Sequence, residues 1–300
     1  MITVQFLQGK QWRLGVKTEQ GIVDVAAAMK QSGEQDARIP DSAHALVTGG
    51  AQAMEGLQSL LQSIGKEALA ACTLQEETLQ FGPCITHPQK IVCVGLNYKR
   101  HAEESGMNPP GEPLLFSKFA NTLAGHKQTI TIPAEAKQMD YEAELAIVIG
   151  QTVSNVAKED ALSYVYGYCT ANDVSARDLQ FVSSQWLLGK TCDGFCPVGP
   201  YLVSKDNIAD PNRLAITTLV NGEIRQNSNT SDMIFYCDEI ISYISKYMTL
   251  YPGDLILTGT PEGVVFGQKE GEQVWLKDGD EVVVEIEGVG RLENRFEMAK

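Results

Sequence analysis

Short apolar runs separated by glycine, proline and asparagine dominate the chain after residue 90. Such runs are typical of β-strands bounded by turns. They predict strands at KIVCVG, PLLFSKF, 139–150, YVYGYCTANDVS and DLILTGTP, and hairpins at LAITTLVNGEIRQ and DEVVVEIEGVGRLENRF. Asn221 and Gly222 predict a type I′ turn in the first hairpin. Many strands with few helices favour an α+β fold that is rich in β-structure.

The segment 231–250 has the clearest helical periodicity. One face carries its large apolar residues, namely Ile234, Cys237, Ile240, Ile241, Ile244 and Met248. Ser231 or Thr230 is suited to cap the N terminus. We interpret the apolar face as part of the core, with no need for a ligand. A shorter helix is predicted near 157–162.

The first 80 residues have a different pattern of apolar and polar positions. Residues 2–25 resemble a small β unit, and helical patterns follow at 25–31 and at about 42–72. A linker is indicated by Pro83, His87 and Pro88. We therefore predict a small N-terminal α/β domain at 1–80 and a larger domain at 88–300.

The charge of the chain limits its partners. It has 38 acidic and 24 basic residues, which give a net charge of −14. Such a surface repels nucleic-acid phosphates and anionic lipid, so neither is an expected partner. No apolar run approaches the ~20 residues of a membrane helix. No signal peptide is recognisable at the N terminus. We therefore expect a soluble protein.

The cysteines indicate a reducing compartment. There are seven of them, an odd number, with no C-x-x-C pair. Cys192 and Cys196 have no second Cys or His pair to complete a zinc site. Reduced thiols are typical of the cytosol, so the expected location is cytoplasmic.

Acidic residues stand at the beginning of one apolar strand and at the end of another. Glu142 and Glu144 are two apart, so in a strand they project to one face about 7 Å apart. Asp173 follows the strand YVYGYCTA. Three carboxylates without a nearby His or Cys favour a hard cation such as Mg²⁺ or Mn²⁺. The alternatives are a wet edge strand for the glutamates and a turn or helix cap for Asp173.

Two further stretches carry candidate chemistry. His101 and Glu104 are three apart, so in a helical turn the carboxylate can orient the ring and raise its basicity. Lys190 lies in a glycine- and proline-rich loop, where it could bind a substrate carboxylate or stabilise an enolate. Each feature alone is also compatible with an ordinary surface turn or loop. In LTGTPEGV, glycines allow backbone to approach a ligand.

In combination these stretches resemble the fumarylacetoacetate hydrolase family. The matching segments are NYKRHAEESG, PLLFSKFANTLAG, DYEAELAIVIG, GYCTANDVSARDLQ, GKTCDGFCPVGP, LVNGEIRQNSNTSDMIF and LYPGDLILTGTPEGVVFG, which span about 95–270. Residues 1 to about 80 resemble the short N-terminal domain of the longer members. The resemblance implies a β-roll of mixed sheets in the catalytic domain and a homodimer.

The resemblance also implies roles for individual residues. It implies one Mg²⁺ or Mn²⁺ per subunit on Glu142, Glu144 and Asp173. It implies a base dyad of His101 and Glu104 on a mobile lid, and a substrate contact by Lys190. The nearby residues that it implies for substrate binding are Lys118, Arg177, Gln180 and Thr260. Some acylpyruvate-cleaving relatives have arginine where this chain has Leu96, which argues against a direct transfer of that specificity.

The expected substrate is a small 2-oxo acid. The favoured reaction is hydrolysis of a C–C bond in a 1,3-dicarbonyl acid of the acylpyruvate type, through an enolate stabilised by the metal. The first alternative is an isomerase or tautomerase of a 2-oxo/enol dicarboxylic acid, such as a hydroxymuconate-type acid or oxaloacetate. Decarboxylation of oxaloacetate is a further alternative, and a non-catalytic metal-binding protein is a remote one.

Overall fold

Nineteen strands and seven α-helices make up residues 1–299, the part of the chain that this computed structural model describes. Strands β1 to β19 are Ile2–Gln8, Gln11–Thr18, Gly21–Asp24, Thr73–Leu74, Ile91–Gly95, Leu114–Lys118, Leu123–Ala124, Ile130–Ile132, Met139–Asp140, Ala143–Ile149, Val165–Asn172, Ser175–Ala176, Cys196–Pro197, Tyr201–Ser204, Ala215–Val220, Glu223–Asn229, Leu255–Leu257, Glu281–Ile286 and Gly290–Met298. Helices α1 to α7 are Val25–Ser32, Ala43–Ser63, Lys66–Ala71, Lys99–Glu104, Arg177–Gln180, Leu187–Lys190 and Cys237–Tyr247. Among the helices of residues 1–299, none combines the length and the apolar character needed to cross a membrane.

One ten-stranded sheet runs through the molecule in the order β4-β3-β2-β1-β14-β11-β10-β17-β5-β6. Strands β1–β4 come from the first 80 residues, and β1 pairs with β14 so that Thr3 faces Leu202. Helices α1 and α2 pack on these strands around a separate apolar cluster that includes Leu46 and Leu57. The N-terminal segment therefore has its own core but shares its sheet with the rest of the chain. The domain boundary at 80–88 stays a prediction.

A second sheet of five strands, in the order β16-β15-β18-β19-β8, covers one face of the first. The largest apolar cluster lies between them and includes Leu145 and Ile147 of β10 and Val282 and Val284 of β18. Most neighbouring strands are antiparallel, but β17 and β5 are parallel, as are β19 and β8. The predicted strand-rich α+β fold is confirmed.

Strand β10 lies in the middle of the large sheet. It pairs with β11 on one side and with β17 on the other. All seven of its residues are buried. The alternative of a wet edge strand is therefore wrong, and the two glutamates at its beginning are enclosed by protein.

The helix predicted at 231–250 is shorter than its periodicity indicates. A 3-10 turn occupies Thr230–Asp232, and α7 begins only at Cys237. The residues between them leave the helical path because Asn97 binds their backbone. Its carbonyl oxygen accepts from Ile234 N–H at 2.7 Å, and its Oδ1 accepts from Phe235 N–H at 2.9 Å. Neither predicted cap therefore caps α7, although Ile240, Ile241 and Ile244 are core residues as expected.

Three other local predictions have clear outcomes. The helical pattern at 42–72 forms two helices, α2 and α3. The segment near 157–162 is a 3-10 helix at Lys158–Tyr164. The turn at Asn221 and Gly222 is confirmed, because both residues have positive φ (52° and 83°) and Val220 pairs with Glu223.

Candidate active site

The candidate site lies at one edge of the large sheet, where several strand ends meet. Parallel strands β5 and β17 both end there. Strand β10 is antiparallel to β17 and therefore begins there, and β11, antiparallel to β10, ends there. Helix α4 follows β5, and the turn that carries Thr260 follows β17. Segments far apart in the chain thus deliver polar residues to one place.

Three carboxylates converge at this edge. The β10–β11 ladder ends with Ala143 opposite Asn172, and the N–H of Asp173 donates to the carbonyl of Glu142 at 2.9 Å. Each of Glu142, Glu144 and Asp173 offers one carboxylate oxygen, and these oxygens lie within 4.8 Å of one another. Their exposed fractions are 5%, 1% and 0%. The structure therefore brings together the three predicted metal ligands.

Three buried cations surround the carboxylates. Arg177 Nη2 lies 2.6 Å from Glu142 Oε1. Lys190 Nζ lies 2.7 Å from Glu142 Oε2 and 3.1 Å from Asp173 Oδ2. Lys118 Nζ lies 2.5 Å from Asp173 Oδ1. Among the described residues Glu144 has no such partner, and its Oε2 accepts one hydrogen bond from Gly259 N–H at 2.6 Å.

This arrangement shifts the pKa values of Glu142 and Glu144 in opposite directions. Burial disfavours the charged form of Glu142, but Lys190 and Arg177 outweigh it and hold its pKa below the ordinary value. Burial, followed by repulsion from Asp173 and Glu142, raises the pKa of Glu144 well above its ordinary value. The cluster therefore lacks positive charge at Glu144.

The cluster fits a hard divalent cation. Its donors are oxygens, which is the ligand type that Mg²⁺ and Mn²⁺ prefer. Asp173 Oδ1 is buried without a hydrogen-bond donor, since its contact with Lys118 is an ion pair without hydrogen-bond geometry. Glu144 has no cationic partner among the described residues, and a bound cation would neutralise its negative charge. Glu142, Glu144 and Asp173 are therefore a candidate divalent-metal site.

A histidine–glutamate pair lies on α4. His101 Nδ1 and Glu104 Oε1 are 2.9 Å apart. Both Glu104 oxygens also accept from Gly263 N–H, at 3.1 and 2.9 Å. With Nδ1 held by the carboxylate, Nε2 of the neutral ring is the basic atom. The predicted dyad is thus in contact, and its glutamate is fixed from a second chain segment.

His101 of the dyad and the two glutamates of the acidic cluster, Glu142 and Glu144, line one cavity that is open at its mouth. Arg177, Gln180, Lys190 and Thr260 also line it, as the sequence predicts for substrate-binding residues. Lys118 does not: its side chain is fully buried beneath Asp173, where Nζ donates to the carbonyls of Lys190 and Val174. The structure therefore places Lys118 under the site.

Most of the chain matches a known protein family. The model of the family "Fumarylacetoacetate (FAA) hydrolase C-terminal" matches residues 90–297. The chain belongs to this family.

Three known proteins illustrate the similarity. Oxaloacetate tautomerase of Rattus norvegicus, named mitochondrial, is 46% identical over 236 residues, which cover 78% of this chain and 75% of that protein. The structure of fumarylacetoacetate hydrolase from Exiguobacterium antarcticum matches with a TM-score of 0.82 at 34% identity, over 100% of both chains. Maleylpyruvate hydrolase from Sphingobium, in complex with manganese and pyruvate, matches with a TM-score of 0.77 at 30% identity, over 100% of both chains.

The comparison changes two expectations and supports two others. The named family members are enzymes, and this chain is an enzyme of the same family. The manganese in a neighbour supports a divalent metal. The prediction of a cytoplasmic location is wrong, because the rat relative is named mitochondrial. The tautomerase alternative is better supported than the favoured hydrolase reaction, because that relative is the more similar in sequence.

Sequence reasoning missed Asp140, which organises this site. Its Oδ2 accepts from Arg177 Nε at 2.9 Å and from Phe266 N–H at 3.0 Å. Its Oδ1 accepts from Val265 N–H at 2.8 Å. Asp140 therefore joins Arg177 to the segment that binds Glu104. The spacing of Asp140, Glu142 and Glu144, each two apart, could have revealed a third inward-facing carboxylate.

The aromatic wall of the cavity was also missed. It consists of Phe116, Phe181, Trp186 and Phe266. Phe116 and Trp186 pack edge to face with centroids 5.3 Å apart, and Phe181 and Phe266 lie at the same distance. These residues come from three separate segments, at 116, 181–186 and 266, so no local sequence pattern identifies them as one group. They give the cavity an apolar surface in addition to its carboxylates.

Gly267 provides a test of the Glu104 contact. A Cβ at this position would lie 2.4 Å from Glu104 Cδ. Because Glu104 can move away, Gly267→Ala should leave the melting temperature nearly unchanged but disturb the dyad. A misplacement of about 1 Å can lower a rate about 100-fold, so we expect a loss of catalytic rate of about that size. Gly65→Ala is the control, because its Cβ has open space. Equal rates for both variants would show that Glu104 position is unimportant.

Proposed function

We propose that this enzyme interconverts the enol and keto forms of a small 2-oxo dicarboxylic acid, with oxaloacetate as the substrate, and uses Mg²⁺ or Mn²⁺. The observation that carries the proposal is the contact between His101 and Glu104 at 2.9 Å, with His101 lining the same cavity as Glu142 and Glu144. Tautomerisation needs a group that moves one proton and a site that tolerates negative charge on oxygen. The similarity to a named oxaloacetate tautomerase supports the same reaction.

Glu142, Glu144 and Asp173 would hold the divalent ion. When bound, such an ion supplies a Lewis acid that polarises a substrate oxygen and stabilises developing negative charge. Arg177 keeps Glu142 in place through Oε1, and Lys118 does the same for Asp173 through Oδ1. Cations of the protein thus orient two of the three carboxylates.

His101 moves the proton. In the direction from keto to enol, its Nε2 accepts a proton from the carbon next to the keto group. Glu104 then stabilises the imidazolium through Nδ1, and Gly263 N–H keeps Glu104 in position. The imidazolium then gives the proton to the enolate oxygen, which completes the enol. In the reverse direction Nε2 takes the enol O–H proton and the imidazolium returns it to carbon. No bond between carbon atoms breaks and no water is consumed.

The cationic and hydroxyl groups that line the cavity bind the substrate oxygens. Lys190 is placed to contact a carboxylate or the oxygen that gains charge. Gln180 Oε1 accepts from Arg177 Nη1 at 3.0 Å, which leaves its amide group to donate to substrate. Thr260 Oγ1 accepts from Gln226 Nε2 at 2.8 Å, so its own hydrogen is available to a substrate oxygen. The aromatic side excludes water from the reacting carbon.

The test follows oxaloacetate from its enol form. The ultraviolet absorbance of the enol should decay faster with the enzyme and Mg²⁺ or Mn²⁺ than without enzyme, and a chelator should abolish the acceleration. Nuclear magnetic resonance of the mixture should show unchanged total oxaloacetate. Accumulation of pyruvate at the rate of enol loss would identify a decarboxylase and contradict the proposal.

Hydrolysis is the second candidate, because two structural neighbours are named hydrolases. It would use the same dyad to activate water against a carbonyl carbon. Leu96, where some acylpyruvate-cleaving relatives have arginine, lines the cavity and offers no charge to a second carboxylate. Release of a new acid from an acylpyruvate at a rate above that of oxaloacetate tautomerisation would favour hydrolysis.

The homodimer stays a prediction, which sedimentation equilibrium can test.

A further inference from the structure

Lys190 contacts the acidic cluster from an unusual position. It is the last residue of α6, its side chain passes the ring of Phe116 with Nζ 5.0 Å from the centroid, and it is 2% exposed. The ammonium ends between Glu142 and Asp173. It therefore joins two of the three carboxylates that form the candidate metal site.

The oxygens that Lys190 contacts are those left free by the other cations. Arg177 contacts Oε1 of Glu142, and Lys190 contacts Oε2. Lys118 contacts Oδ1 of Asp173, and Lys190 contacts Oδ2. A divalent ion that uses Glu142 and Asp173 must share these oxygens with the ammonium or break the ion pair with Arg177 or Lys118.

Sharing is electrostatically unfavourable. Mg²⁺ bonds to oxygen at about 2.1 Å, so an ion on both oxygens would lie within about 5 Å of an ammonium that is 2.7 and 3.1 Å from them. Like charges at such a distance in a buried site repel strongly. Of the three carboxylates of the candidate metal site, Arg177 contacts only Glu142 and Lys118 contacts only Asp173, so each can stay on its own oxygen.

Charge balance gives the ammonium a function in the absence of metal. Four buried carboxylates, Asp140, Glu142, Glu144 and Asp173, face three buried cations, Lys118, Arg177 and Lys190. Without Lys190 the deficit of positive charge would double, from one to two, and buried carboxylates without partners destabilise the fold. Lys190 thus occupies the cluster as an internal counter-ion.

We infer that Lys190 is a displaceable counter-ion: a divalent cation and the Lys190 ammonium compete for Glu142 and Asp173, and metal entry releases the ammonium into the cavity, where it can bind the substrate. The inference rests on the proposed metal site, and it adds that metal loading and exposure of the substrate-binding lysine are one event. An empty site would keep Lys190 engaged and would bind the anionic substrate poorly.

The test measures metal affinity rather than activity. Lys190→Met keeps much of the apolar stem and removes the charge. Titration calorimetry of chelator-treated protein with MnCl₂ should show at least tenfold tighter binding by Lys190→Met than by the parent. The matched control is Lys158→Met, which removes an exposed lysine paired with Glu239 and should bind Mn²⁺ like the parent. The metal-free Lys190→Met protein should also melt at a lower temperature and gain more from Mn²⁺.

The outcomes separate this inference from the proposed function. Unchanged or weaker Mn²⁺ binding by folded Lys190→Met, with normal binding by the parent, overturns the displacement and leaves the metal site intact. No binding by any of the proteins overturns both. If Lys190→Met does not fold, Lys190→Gln is titrated in its place with the same expectation. Independently, a crystal structure of the manganese-loaded parent in which Nζ still lies near 2.7 and 3.1 Å from the two oxygens would overturn the displacement.

Discussion

Glu144→Gln is expected to weaken Mg²⁺ or Mn²⁺ binding by more than about 100-fold, because even outer residues of metal sites contribute 10- to 100-fold to affinity. The same substitution should raise the melting temperature of the metal-free protein. Glu144 is the carboxylate of the cluster whose charge has no cationic partner among the described residues. Gln can still accept the hydrogen bond from Gly259 N–H, so the fold loses a repulsion and keeps its contact.

Glu142→Gln is the contrasting variant. Its carboxylate pairs with Arg177 through one oxygen and with Lys190 through the other. Removing one partner of a buried ion pair destabilises a protein by about 3–5 kcal/mol, so the metal-free variant should melt below the parent. Both glutamine variants should bind metal weakly. Titration calorimetry and thermal denaturation of chelator-treated proteins provide the two measurements. Metal affinity of Glu144→Gln equal to that of the parent would remove Glu144 from the metal site.

His101→Gln is expected to slow the tautomerisation of oxaloacetate by about 100- to 10,000-fold, the usual contribution of a positioned general acid or base. Gln can occupy a similar volume and bind Glu104, but it cannot accept and return a proton. Stopped-flow measurement of enol absorbance gives the rate. Metal affinity should be unchanged, because His101 forms no ion pair with the three clustered carboxylates in residues 1–299.

The control for His101 lies on the same short helix. Glu103 is exposed and is not among the residues that line the cavity, so Glu103→Gln should keep the parental rate. A parallel loss in both variants would indicate a damaged helix rather than a missing base. Full turnover by His101→Gln would exclude the dyad from proton transfer and leave the metal site as the source of catalysis.

The periodicity of the chain predicted the strands correctly where each apolar run has turn residues at both ends. It failed at the beginning of α7, because helical spacing continues through Ile234 while the backbone there bonds to Asn97. That contact joins residues 137 positions apart, and no local pattern reports it. The same limit applied to β10, whose two neighbouring strands decide that its glutamates are buried.

The candidate residues were predictable for a different reason. A side-chain period of two places Glu142 and Glu144 on one face, and a helical turn places His101 beside Glu104. These are properties of local backbone geometry, so the sequence is sufficient. Whether Asp173 lies beside Glu142 and Glu144 depends on the register of β10 against β11, which local backbone geometry does not determine.

The sequence by itself therefore determined the strand-rich fold class and the family of the chain. It also determined two short-range pairs, Glu142 with Glu144 and His101 with Glu104. The tertiary structure alone decided that Lys118 lies beneath the site, that Lys190 enters the carboxylate cluster, and that Asp140 joins Arg177 to the segment that holds Glu104. The physical reason is distance along the chain. Backbone periodicity reaches only a few residues, whereas these charges attract one another through space after the sheet has brought its strand ends together.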